Sequence, residues 1–235
     1  QITELVFTNS LTLVDEAAFR NNLIKSITFG NGLISIEESA FLYNNLVTLN
    51  LPSSLDYIGW CAFADNDLYS VTMASGLLSI DGWAFSYNDL SNISIPSTVN
   101  FIGEGAFNSN LLSDANAFVY ARNGDGSVNA TYLVSYGGQR RSAVNIPNGV
   151  VTIGQGAMND QDITSVSFPS TVTTIGGYAF EDNLLTSISL PSGLTLLSWS
   201  AFNRNRLSTV TIPARLETIY DQTLSNNPIT TIDNT

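Results

Sequence analysis

An apolar residue that follows alanine or another small or polar residue returns every 22 positions along this 235-residue chain. Phe19, Phe41, Phe63, Phe85 and Phe107 keep that step, and Met158, Phe180, Phe202 and Leu224 resume it. Between Phe107 and Met158 the step is 51, one period plus 29 residues. A fixed period of this length is the signature of a solenoid, in which one unit is too small to bury its own apolar face and stacking supplies the cover. The rest of the unit obeys the same clock. Asparagine stands three residues after the anchor at Asn22, Asn44, Asn66, Asn88, Asn110, Asn183, Asn205 and Asn227, with Gln161 in the series. Two apolar residues separated by one polar residue follow, as at Ile93 and Ile95 or Val210 and Ile212, and proline often comes next. Apolar residues in alternation predict a strand with one buried face. Proline ends the strand because it has no N–H to donate. The "SAF" and "GAF" segments that close the unit predict either a helical turn or a second short strand. The opening "ITELVF" reads as the end of an earlier unit, with Ile2, Leu5 and Phe7 in register.

The asparagines predict a ladder. An amide side chain both donates and accepts, so at one position of every coil it can satisfy the backbone groups of the tight turns.

A short strand followed by a recurring asparagine is the logic of leucine-rich repeats. "LTSISLPSGLTLLSWSAF" (185–202) and "ITSVSFPSTVTTIGGYAF" (163–180) resemble the BspA-like leucine-rich repeat of bacterial surface proteins. The resemblance implies a solenoid of 22-residue units with short parallel strands on its concave face. It also implies an extracellular or cell-surface protein used in adhesion or protein binding. It carries no catalytic residues to transfer. The departures are Met158 and Leu224 for the aromatic anchor and Gln161 for asparagine.

The extra residues predict an insertion. Repeats are expected over 1–112 and 142–235, with a β-hairpin over 113–141, in one continuous solenoid domain. "AFVYA" and "TYLVSY" read as its strands and "RNGDGSVN" as its turn. Asn123, Asp125 and Ser127 place oxygens at alternate positions, as a calcium loop does, but the closing bidentate glutamate is missing, so no metal is expected.

Composition narrows the function. There are 20 Asp plus Glu against 8 Lys plus Arg, a formal charge of −12, and the paired basic residues are only Arg140 with Arg141 and Arg204 with Arg206. Nucleic-acid binding needs a basic stripe, so it is not expected. No apolar run reaches the ~20 residues of a transmembrane helix, so no membrane insertion is expected. The chain starts at Gln1 with no visible signal peptide, and reads as a processed chain or a piece of a longer one. One cysteine, Cys61, and no histidine rule out an internal disulfide and any Ser-His-Asp or Cys-His site. No cofactor motif is present.

Two surfaces are candidates for binding. The first is the polar side of the strands: Ser26, Thr28, Thr48, Asn50, Ser70, Thr72, Asn92, Ser94, Ser187, Ser189, Thr209 and Thr211, with Ser165 and Ser167. This uncharged array suits a protein or glycan partner on another cell or in the matrix, an ordered layer of water, or nothing beyond an exposed strand. The second is the aromatic group Tyr57, Trp60, Trp83 and Phe101, with Tyr178 and Trp199 as a smaller one, which either binds or fills gaps beside glycine. The acidic residues Asp65, Asp67, Asp89, Asp160, Asp162, Glu181 and Asp182 fall in the anchor loops, where solubility explains them better than glycoside hydrolysis. The expectation is a non-enzymatic binding or adhesion module, with a passive spacer as the alternative.

Overall fold

The computed structural model describes residues 2–73, 75–140 and 142–234; Arg141, at the end of the expected insertion, lies outside them. Most coils carry two short strands. In chain order they are β1 (Glu4–Val6) and β2 (Leu13–Val14), β3 (Ser26–Thr28) and β4 (Ser35–Ile36), β5 (Thr48–Asn50) and β6 (Tyr57–Ile58), and β7 (Ser70–Thr72) and β8 (Ser79–Ile80). There follow β9 (Phe101–Ile102), β10 (Phe118–Arg122) and β11 (Val128–Tyr136). The later coils hold β12 (Ala143–Asn145) and β13 (Thr152–Ile153), β14 (Ser165–Ser167) and β15 (Thr174–Ile175), β16 (Ser187–Ser189) and β17 (Leu196–Leu197), then β18 (Thr209–Ile212) and β19 (Thr231–Asn234).

Strands of the same kind pair in parallel, one period apart: Ile27 lies opposite Leu5, and Ile36 opposite Val14 and Ile58. The second strands form two five-stranded sheets, β2-β4-β6-β8-β9 and β10-β11-β13-β15-β17. The first strands form shorter pieces, β1-β3, β5-β7, β12-β14 and β16-β18-β19. Proline ends the first strand, and its carbonyl accepts the N–H three residues on, as in Leu55 to Pro52 at 3.0 Å and Leu194 to Pro191 at 3.0 Å.

The segment before the anchor is neither helix nor strand. Alternate amides donate to the next coil, Phe41 N–H to the Ala62 carbonyl at 2.8 Å and Phe63 N–H to Ala84 at 2.8 Å. The amides between them close local turns. This geometry needs positive φ two residues before and two after each anchor, as at Cys61 (53°) and Asp65 (50°). Aspartate and asparagine tolerate that region best among residues with a Cβ, and Asn21, Asp65, Asp160, Asp182 and Asn226 fill it. Part of the acidic clustering near the anchors is therefore backbone chemistry.

The anchors stack. Phe41 and Phe63 lie 5.4 Å apart with planes 5° from parallel, Phe63 and Phe85 5.5 Å apart, and Phe180 and Phe202 5.1 Å apart. All five of these and Phe107 are buried, while Phe19 and Leu224, in the outermost coils, are only half-buried. The asparagines follow one pattern. Asn66 Oδ1 accepts the Leu46 N–H at 3.0 Å, and its Nδ2 faces the carbonyls of Phe41 (3.0 Å) and Phe63 (3.2 Å). Asn44, Asn88, Asn110, Asn183, Asn205 and Asn227 do the same, and Asn22 bonds within its own coil.

The insertion does more than interrupt the stack. β10 and β11 pair antiparallel, and β11 then pairs parallel with β13, Leu133 opposite Ile153. Tyr136 N–H donates to the Ala157 carbonyl at 2.8 Å, as each anchor amide does to the coil after it. Tyr136 is 29 residues after Phe107 and 22 before Met158, so it holds the place of the missing anchor. The second strand of the hairpin is an unturned coil. Leu133 packs into the core of the later coils and Val134 into that of the earlier ones. Buried Asn108 ties the junction, accepting from Ser135 Oγ at 2.6 Å and donating to the Gly156 carbonyl at 2.7 Å. This extended coil has no anchor loop of its own. Gln161, one methylene longer than asparagine, reaches past the gap to accept the Ser109 N–H at 3.2 Å.

Candidate functional site

The alternation along the first strands puts Ser26, Thr28, Thr48, Asn50, Ser70, Thr72, Ser165, Ser167, Ser187 and Ser189 on the exposed side, and half-buries Thr209 and Thr211. Asn92 and Ser94 are exposed but do not lie on a strand, contrary to expectation. One period on, residues 114–116 form the turn that enters the hairpin, so the ladder partner is missing. Asn116 Nδ2 instead donates to Asn92 Oδ1 at 2.5 Å. The hydroxyl face is thus divided by the insertion and is not one ribbon.

The aromatic group lies on the second-strand side, where the same insertion builds a wall. Trp60, Trp83 and Phe101 line a cleft of about 550 Å³ with Asp81, Glu104, Arg122, Asn129, Tyr132 and Gln155. Trp60 is 45% exposed and Phe101 50% exposed. Trp83 is half-buried and lies over two glycines. A Cβ on Gly105 would come 2.8 Å from its ring, and one on Gly156 3.0 Å. Trp60 covers Gly82, and Trp199 covers Gly177 while meeting Tyr178 edge-on at 4.0 Å. Packing beside glycine and exposure to the cleft therefore coexist: glycine lets the indole lie flat on the next coil, with its outer face left open. A second hollow of about 310 Å³ shares Trp60, Trp83, Glu104 and Gln155 and runs on to Tyr178 and Glu181. Tyr57 is half-buried and does not line the cleft; its hydroxyl donates to Asp81 at 3.2 Å.

Glu104, Arg122, Asn129, Tyr132 and Gln155 have no signal in the repeat pattern, because the first three-dimensional cue is that β11 replaces a coil. Tyr132 donates its hydroxyl proton to Glu104 at 2.7 Å, fixing one carboxylate oxygen. Burial, then this bond, holds the Tyr132 hydroxyl well above its ordinary value. Arg122 Nη1 donates to the Gly126 carbonyl at 3.0 Å. Its Nε is buried without a hydrogen-bond partner among the described residues, and burial lowers its pKa.

Several ionisable groups elsewhere have structural partners. Asp160 accepts from Tyr87 at 2.8 Å and lies 3.5 Å from Arg140, and Asp182 lies 3.5 Å from Arg204. Cys61 is pushed up to about 12 by burial and then by Asp65 and Glu38, so at neutral pH it is a thiol and a poor nucleophile. In the hairpin turn, Asp125 Oδ1 accepts from the Ser127 N–H and hydroxyl, and Asn123 Nδ2 donates to Ser127 Oγ at 2.9 Å. The Asp125 and Ser127 oxygens are thus bonded within the turn, and Asn123 joins them as a donor.

Among the described residues no helix is long and apolar enough to cross a membrane. The family model described as BspA type leucine rich repeat region matches in 6 copies over residues 1–113 and 136–235. The crystal structure of the pneumococcal vaccine antigen PcpA superposes with a TM-score of 0.80 at 24% identity, covering 99% of this chain and 62% of that one. A leucine rich cell surface protein from Faecalibacterium prausnitzii superposes with a TM-score of 0.61 at 21% identity, covering 100% of this chain and 79% of that one. At these identities the likeness is one of fold, and this chain spans less than two thirds of the pneumococcal structure. No curated protein matches it.

Proposed function

Because the chain belongs to the BspA-type leucine-rich repeat family, we propose that it is a non-catalytic binding module of a bacterial cell-surface or secreted protein, recognising a protein or glycan through its repeat surface. The observation that carries this reading is the cleft beside the insertion. Elsewhere the strands expose single aliphatic residues such as Leu13 and Leu196 among serine and threonine, whereas here two aromatics, Trp60 and Phe101, stand half in solvent in one cleft against a wall of polar side chains. Exposed aromatics in a concave site are the usual anchors of recognition. The names of the two structural relatives, a vaccine antigen and a cell surface protein, support the location.

The test is binding of the purified chain to a panel of host matrix proteins and glycans, beside two variants. One carries arginine at Thr28, Thr72, Ser189 and Thr211; the other is Gln155→Arg. Binding kept by the first and lost by the second is the expected result. Loss in the first alone would move recognition to the hydroxyl face, and no binding by any of the three would leave a passive spacer.

A further inference from the structure

We propose that the cleft between the Trp60–Trp83 coils and the hairpin takes a neutral carbohydrate, a segment of two or three pyranose rings. This inference rests on the binding-module reading and names the ligand class for one site. Three observations carry it. First, the exposed hydrophobic residues of the lining are aromatic, Trp60 at 45% and Phe101 at 50% exposure, whereas the aliphatic Ile102 is buried. A flat ring matches the C–H face of a pyranose, which is apolar and flat, better than it matches a branched side chain. Second, the polar groups around those rings are of both kinds. Asp81 and Glu104 accept, while Arg122, Asn129 and Gln155 donate. A sugar's hydroxyls do both at once. A cationic peptide would place its charge beside Arg122, and an anionic ligand would face two carboxylates in a chain of net charge −12. Third, the cleft holds a cation that no carboxylate has neutralised. Arg122 lines it with no ion pair among the described residues, and its Nη1 donates to the Gly126 carbonyl at 3.0 Å. A guanidinium carries five N–H donors in a fixed fork, so one bond leaves others to offer a hydroxyl.

The hairpin is what makes the site. Without β11 in place of a coil, neither Tyr132 nor Asn129 would stand opposite Phe101. Tyr132 in turn holds Glu104 by the 2.7 Å bond, so the carboxylate is positioned before a ligand arrives. The volume of about 550 Å³ lies within the range of small-molecule clefts.

The test is a titration of the chain with lactose, N-acetyllactosamine, maltotriose, cellotriose and mannotriose, read by tryptophan fluorescence. Sialyllactose and an oligolysine peptide serve as charged comparisons. At least one neutral sugar is expected to bind and to shift the emission. Trp60→Ala combined with Phe101→Ala is expected to weaken that binding by about thirtyfold or more, the loss typical of removing hot-spot anchors. Gln155→Arg, a change at an exposed side chain that leaves the core intact, guards against misfolding in the double variant and is expected to abolish binding at an unchanged urea midpoint. The proposal is overturned if no neutral sugar binds, if these variants bind as the native chain does, or if oligolysine or sialyllactose binds more tightly. A matrix protein that binds in a Gln155→Arg-sensitive way while every sugar fails would remove the carbohydrate and keep the binding module. Failure of sugars and matrix proteins alike would remove both.

Discussion

Replacing Asn88 by alanine isolates the energy of one rung of the ladder. Asn88 is 5% exposed and makes four bonds. Its Oδ1 accepts the Leu68 N–H at 3.0 Å, and its Nδ2 faces the carbonyls of Phe63, Phe85 and Ser86 at 2.9, 3.2 and 3.1 Å. The three carbonyls are each served twice. Phe63 also receives Asn66, Phe85 receives Asn110, and Ser86 receives the Asp65 N–H. The Leu68 N–H has no second acceptor among the described residues, and Leu68 is fully buried. The substitution therefore strands one buried donor, at a cost on the order of 1–3 kcal/mol. With an m-value of about 3 kcal/mol/M the urea midpoint falls by roughly 0.3–1 M. Asn88→Asp is expected to do worse than alanine at neutral pH, since it keeps the acceptor for Leu68 but turns an anion toward three carbonyls. Asn227→Ala, on a half-buried rung where water can reach Leu207 N–H, is expected to cost less than about 1 kcal/mol. An Asn88→Ala midpoint equal to that of the native chain, or an Asn227→Ala loss as large as that of Asn88→Ala, would refute the reasoning.

Two further perturbations read other parts of the structure. Gly105→Ala forces a Cβ into the left-handed region at φ +69° and to 2.8 Å from the Trp83 ring. It is expected to lose on the order of 1–3 kcal/mol in urea unfolding and to shift the tryptophan emission. Gly149→Ala, at φ +95° with open space around it, should leave the emission unchanged. The hydroxyls of Tyr57, Tyr87 and Tyr132 each donate to a carboxylate, of Asp81, Asp160 and Glu104. Burial first, then that contact, raises Tyr57 to about 12, and raises the other two as well. Their folded values lie above the unfolded value of about 10, so the stability they confer is complete below pH ~10 and is lost as pH rises toward 12. Absorbance titration of the folded chain should show these three ionising later than in urea; all 9 tyrosines ionising together near 10 would contradict the contacts.

Much of this architecture can be read from the residues alone, because stacking turns spacing into contact. The 22-residue step places Phe41 over Phe63, and the asparagine three residues later bridges adjacent coils by the same arithmetic. Two features escaped that arithmetic. The anchor segment is neither of the elements predicted from "SAF", because alternate left-handed residues let the chain bond sideways to the next coil while turning on itself. The insertion also conceals a coil. Tyr136 stands 22 before Met158, but the residues leading to it are extended, and no alanine precedes it to mark an anchor. Since β11 was hidden in this way, the repeat pattern pointed to Trp60, Trp83 and Phe101 and missed the wall that turns them into a cleft. Asn92 and Ser94 failed for the same reason: the hairpin removes the strand that would have paired with theirs.

Hydrogen–deuterium exchange of the chain with and without a bound target tests the central claim most directly. The account predicts new protection over Trp60–Glu104 and Asn129–Tyr132, the two sides of the cleft, with β3, β5 and β16 unchanged. Protection confined to those first strands, with the cleft exchanging as before, would contradict it.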